Sequence, residues 1–249
     1  MAVGPGLGAL PVSPLDALLA FFIVAAGGIL QASLGFGMGL MAAPFLVLIE
    51  PAFVPGPSLL AALVLTVLVA HRERHAADFR GLGYAVAGRV VGTIPAALLI
   101  SYISPAGFEM VFAGMIILAV ILSAVGLTLE PTPGRAAVAG ALSGFMSTLS
   151  SVGGPPMALL YQNAEGPRFR STLAGFFSVG VVMSLVALAV VGRFHLREVA
   201  LAAVLIPGGM AGYWLSRFVS PWMDRRGVRP FVLGMSFLAA AGVLWRALR

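Results

Sequence analysis

Charged residues divide the chain into eight apolar runs, at positions 17–49, 51–70, 90–108, 111–129, 136–164, 171–192, 199–216 and 230–245. A bilayer core of ~30 Å is crossed by roughly 20 helical residues, so six of these runs have about the length of one transmembrane helix each. The runs 17–49 and 136–164 are too long for a single crossing. At ~1.5 Å per residue the first would reach about 50 Å. Both are also interrupted near the middle, one by Gly35, Gly37 and Gly39 ahead of Pro44, the other by "SSVGGPP" at 150–156. Glycine and proline weaken or break helices. The pattern therefore predicts an all-α integral membrane protein in which an interrupted or re-entrant helix hairpin is followed by three transmembrane helices, twice over.

The two halves also resemble each other. A shift of 116 positions lays "GGILQASLGFGMGLMAAP" over "SGFMSTLSSVGGPPMALL", matching Gly28 with Gly144, Gly37 with Gly153 and Met41 with Met157. The same shift pairs Gly92 with Gly208 and Ser104-Pro105 with Ser220-Pro221; further on, a shift of 120 pairs Gly114-Met115 with Gly234-Met235. Residues 1–130 thus read as a first transmembrane repeat and 131–249 as a second. A hairpin plus three crossings is an odd number of crossings, so the second copy is expected upside down relative to the first. Inverted repeats with interrupted helices meeting near the midplane are the plan of many secondary transporters.

Composition strengthens the membrane reading. Hydrophobic residues make up 60% of the chain and charged residues 10%, and the mean hydropathy is +1.03, far from soluble domains. All fifteen basic residues are Arg, and none precedes Arg72. That leaves no positive n-region of a cleaved signal peptide. With both long runs as hairpins, Arg72, Arg74, Arg80, Arg135, Arg168, Arg170, Arg217, Arg225, Arg226 and Arg229 share one side. Only Arg193, Arg197, Arg246 and Arg249 oppose them. The positive-inside rule makes the richer side cytoplasmic and puts both termini outside. Without lysine there is no Walker A motif and no Schiff base, and without cysteine there is no disulfide, iron–sulfur site or thiol nucleophile. The residue set suits carrying a solute better than transforming it, and no cofactor is expected.

Irregular backbone inside a membrane is tolerated only where it is buried in protein or lines a cavity. The two breaks therefore mark a candidate substrate cavity, where helix starts present free N–H groups and the positive end of a dipole to an anion. The nine acids all fall at span edges or in loops, leaving no midplane carboxylate for a cation. Arg89 lies nine residues beyond Arg80, about 14 Å along a helix, and is the one deep charge, a bidentate donor suited to an oxyanion. Gln31 and Ser33, and Ser147, Thr148, Ser150 and Ser151, flank the breaks as neutral donors. The candidate substrate-binding residues are Gln31, Ser33, Gly35, Phe36, Gly37, Arg89, Ser150, Ser151, Gly153 and Gly154; no metal or catalytic residues are expected.

"LGFGMGLMAAPFLVL" and "STLSSVGGPPMALLY" resemble the duplicated Gly-rich motif of the TauE/SafE family, the sulfite exporter or toluene-sulfonate uptake permease superfamily. The likeness extends over nearly the whole chain. It implies export or uptake of sulfite and small organosulfur or carboxylate anions across the bacterial inner membrane. The expected function is thus a multi-pass secondary transporter of a small anion, most simply sulfite or an organosulfonate, working by alternating access. The alternatives from other classes are an anion channel and an intramembrane enzyme or lipid-handling protein. Expected partners are the anion and the lipid bilayer, and not nucleic acid; a homo-oligomer is compatible with the sequence.

Overall fold

The computed structural model describes residues 12–76, 82–125, 129–161, 163, 166–226 and 229–248, with side chains described outside 76 and 220–231. Arg80 of the charged loop and the terminal Arg249 lie outside the described residues. In lipid the backbone must satisfy its own hydrogen bonds, and among the described residues it does so entirely in helices, with no strand. The α-helices are α1 (Pro14–Leu34), α2 (Met38–Ile49), α3 (Gly56–Arg72), α4 (Leu82–Tyr102) and α5 (Pro105–Val125), then α6 (Pro133–Ser150), α7 (Gly154–Tyr161), α8 (Gly166–Val190), α9 (Leu196–Arg226) and α10 (Arg229–Ala247).

Both long apolar runs break where the glycines predict. The first stops at Leu34 and resumes at Met38; the second stops at Ser150 and resumes at Gly154. A Cβ at Gly27 would lie 3.2 Å from both the Ala42 Cβ and the Met38 carbonyl oxygen. Residues 27 and 42 stand on opposite sides of the break, so α2 turns back along α1 instead of continuing it. Likewise α7 packs on α6. The arms are unequal: α1 has 21 residues against 12 for α2, and α6 has 18 against 8 for α7.

Local chemistry sets the helix ends. Ser13 caps α1 by accepting the Asp16 N–H at 3.1 Å, with Pro14 next in the first turn, and Thr132 followed by Pro133 does the same for α6. Among the described residues five helices are long and apolar enough to cross a membrane, namely α1, α4, α5, α8 and the part of α9 up to Val219. α3 is shorter than the run 51–70 suggested. Glu50 Oε1 accepts the Ala52 N–H at 3.0 Å and turns Pro51–Phe53 into a 3-10 turn, and Ser58 Oγ donates to the Phe53 carbonyl at 2.8 Å. The first residues of the run are spent before α3 begins.

The most extensive helix pairs join one half of the chain to the other: α4 with α6, α1 with α9, α3 with α8, α3 with α9 and α5 with α10. Exchanging the halves carries α4–α6 onto α1–α9 and α3–α9 onto the less extensive α4–α8, and carries α3–α8 and α5–α10 onto themselves. Without a hydrophobic force between helices in lipid, close approach depends on small residues. A Cβ at Gly88, Gly92 or Gly140 would overlap a backbone carbonyl across the α4–α6 contact (Ala137, Ala141 and Ala85 respectively). Gly28, Gly208 and Gly212 serve α1–α9 in the same way. At the periphery, Arg170 Nε meets Glu73 at 2.9 Å and Arg246 Nη2 meets Glu109 at 2.8 Å.

Candidate functional site

Each break is closed by left-handed backbone. Gly35 (φ 79°) ends α1, with its N–H donating to the Gln31 carbonyl at 2.9 Å, and Gly37 (φ 119°) opens α2. The Gln31 side chain returns to the same turn, where its Oε1 accepts the Met38 N–H at 3.3 Å. In the second half Ser151 takes φ 62° at the end of α6; its N–H donates to the Ser147 carbonyl at 2.8 Å and its Oγ donates to the Pro55 carbonyl at 3.0 Å. A non-glycine residue in this region is uncommon. Pro155 and Pro156 occupy the first turn of α7, where an N–H would lack an intrahelical acceptor anyway.

The two breaks meet. A Cβ on Gly154 would be 2.9 Å from the Phe36 ring, and one on Gly39 would overlap the Ser151 carbonyl oxygen. Between them lies a cavity of about 40 Å³, room for a few water molecules. The first break contributes Gln31, Phe36, Gly37, Gly39 and Leu40, and the second contributes Ser147, Ser151, Val152, Gly153, Gly154 and Pro155. α3 closes the cavity with Leu59, Ala62 and Thr66, and α8 with Phe177 and Val181. No Asp or Glu is among these residues.

Of the residues expected from the sequence, Gln31, Phe36, Gly37, Ser151, Gly153 and Gly154 line the cavity. Three lie beside it. Ser33 is buried in α1. Gly35 turns toward α8, where a Cβ would sit 3.1 Å from Arg170 Cα. Ser150 is buried with its hydroxyl donating to the Met146 carbonyl at 2.7 Å. The α3 and α8 contributions carry no sequence signal, since Leu59, Ala62, Thr66, Phe177 and Val181 look like any membrane-helix residues.

Arg89 stands one layer behind the lining. It is fully buried, with Nη1 donating to Ser143 Oγ at 3.0 Å and Nη2 to Ser147 Oγ at 3.1 Å. Its guanidinium carbon lies 5.1 Å from the Phe176 ring centre and 5.9 Å from that of Phe177, within cation–π range. Small residues make this burial possible, because a Cβ at Gly180 would overlap the guanidinium and one at Gly144 would come within 3.0 Å of Arg89 Cγ. Ser143 in turn donates to the Gly153 carbonyl at 2.7 Å, so the charge is wired to the second break. Ser143 is a further residue that the sequence did not point to.

Comparison with known proteins adds one finding. The model of the family described as sulfite exporter TauE/SafE matches residues 19–243. No curated protein and no solved structure matches the chain. The matched stretch contains both breaks, all the lining residues of the cavity and Arg89, so the candidate site lies inside the shared region. With nearly its whole length matched and several helices apolar enough to cross a bilayer, this multi-pass membrane protein belongs to the sulfite exporter TauE/SafE family.

Proposed function

We propose that the protein is a secondary transporter of a small anion, sulfite or an organosulfonate, in the bacterial inner membrane, and that it binds the anion between the two helix breaks. The observation that carries this reading is the meeting of the breaks around one acid-free cavity. Gly37, Gly153 and Gly154 let backbone N–H groups approach the anion, Gln31 and Ser151 add side-chain polarity, and Phe36 closes the cavity. Gly35, Ser33 and Ser150 shape the turns, while Arg89 supplies the positive charge. A buried Arg at membrane depth costs at least ~2.5 kcal/mol on insertion scales, a cost that makes sense where an anion must be attracted.

Alternating access would follow from inverted repeats, 1–130 and 131–249. Two features support that arrangement: the sequence repeat, and a set of helix pairs that, with α4–α8 included, is unchanged when the halves are exchanged. In this mechanism the hairpin tips hold the anion while the flanking helices rock around them. The test is uptake of radiolabelled sulfite into proteoliposomes, with a short alkylsulfonate, sulfate, chloride and a monovalent cation as competitors. Saturable sulfite uptake that the sulfonate inhibits and the cation does not is expected. Absence of saturable anion uptake in either direction would overturn the proposal.

A further inference from the structure

We infer that anion preference is set by a polarised hydroxyl pair, with Ser147 as the donor that touches the anion and Arg89 as the positioning residue behind it. This rests on the function proposed above and names how its site selects charge. Arg89 is fully buried and Ser147 is 3% exposed. The guanidinium donates to Ser147 Oγ at 3.1 Å, and Ser147 lines the cavity. A hydroxyl has one hydrogen and two lone pairs. With Arg89 on a lone pair, the Ser147 hydrogen has no acceptor among the described residues and is left to point at whatever occupies the cavity.

The second branch weakens a competing acceptor. Arg89 also donates to Ser143 Oγ, and that hydroxyl donates to the Gly153 carbonyl at 2.7 Å. Gly153 lines the same cavity, so one of the two lone pairs of a carbonyl that a cation would seek is already engaged. Hydrogen bonds in a chain polarise one another, and a hydroxyl that accepts from a cation becomes the better donor. One buried charge thus does two things: it strengthens a donor facing the cavity and engages one lone pair of an acceptor beside it. Because Arg89 stays a layer back, behind Ser147 and Phe177, the anion meets a neutral donor and is not locked into a contact ion pair. Arg89 Nε has no acceptor among the described residues, so the guanidinium is not neutralised from that side either.

The experiment is sulfite uptake in proteoliposomes by wild type, Ser147→Ala, Ser147→Thr, Arg89→Gln and the double variant Ser147→Ala/Arg89→Gln. Ser147→Ala should raise KM about 10-fold to 100-fold with Vmax little changed, the loss of one hydrogen bond to a charged group. Ser147→Thr keeps the hydroxyl and should restore most of the affinity. In the double variant the Arg89→Gln effect should largely vanish, because its route to the anion is already cut. An unchanged KM in Ser147→Ala, or full additivity in the double variant, would overturn the inference. Should Arg89→Gln fail to fold, the contrast between Ser147→Ala and Ser147→Thr decides alone. Wild-type protein that takes up no sulfite would instead remove the proposed function on which the inference stands, whereas a wild type that transports and a Ser147→Ala variant that matches it would remove only the inference.

Discussion

Gly180→Ala tests whether the guanidinium of Arg89 is held where the structure has it. The new methyl group would overlap Arg89 Nε, Cδ and Cζ, the charged head of the side chain and not a loose tail. There is little room for retreat, with Phe176 and Phe177 stacked on one side and Gly144 close to Arg89 Cγ on the other. If the head stayed in place, overpacking of ~1–3 kcal/mol would be offset by the ~1 kcal/mol that alanine gains over glycine in a helix. If the head is displaced, two hydrogen bonds from a charged donor are lost at ~1.5–3 kcal/mol each. Displacement is expected, because the overlap falls on the group that makes those bonds. The net loss is then about 2–5 kcal/mol, which lowers the unfolding midpoint on the order of 10 °C for a chain of this size. Thermal unfolding in detergent, followed by the fraction of monodisperse protein, reads this directly, and sulfite uptake should lose affinity in parallel. Gly114→Ala is the control: nothing lies within 4 Å of its added Cβ, so it should be neutral or stabilising by up to ~1 kcal/mol. A Gly180→Ala protein with wild-type midpoint and wild-type KM would refute the reasoning.

Three further outcomes are expected. Gly37→Ala and Gly153→Ala should both impair sulfite uptake for different reasons. At Gly37 a Cβ meets only Leu30 at 3.7 Å and the penalty is the φ of 119°, about 1–3 kcal/mol. At Gly153 the Cβ would press on the Ser143 carbonyl and Ser147 Cβ at 2.8 Å, and uptake by both variants at the wild-type rate would return these glycines to a packing role. Gly92→Ala, aimed at the Ala141 carbonyl across the α4–α6 contact, should destabilise by ~1–3 kcal/mol, and Gly83→Ala, with nothing within 4 Å, should not; equal midpoints would contradict the close packing. A reporter fused after the last residue should be active only outside the cytoplasm, and a cytoplasmic signal would exclude the two-hairpin topology.

Membrane helices explain why some of this was legible and some was not. The breaks could be read directly, because glycines and prolines inside a charge-free run contradict the demand of lipid for an unbroken backbone ladder. That the acids fall at span edges or in loops, and that Arg89 falls well inside an apolar helix, followed from simple spacing. In contrast, the partners of each helix left no trace along the chain. In water an amphipathic stripe marks the buried face; in lipid both faces are apolar, so Leu59 and Val181 beside the cavity look like Val91 and Val186 on the outside, which are 67% and 57% exposed. The sequence by itself determined helical class, the two interrupted runs, the internal repeat and the cationic bias of the charges. Only the tertiary structure decided that α2 folds back on α1, that the helices of one half pack on those of the other, and that Arg89 reaches the cavity through Ser143 and Ser147. The last of these depends on contacts between residues 54 and 58 positions apart, and the close approach that permits it is set by glycines on neighbouring helices whose pairing no local pattern encodes.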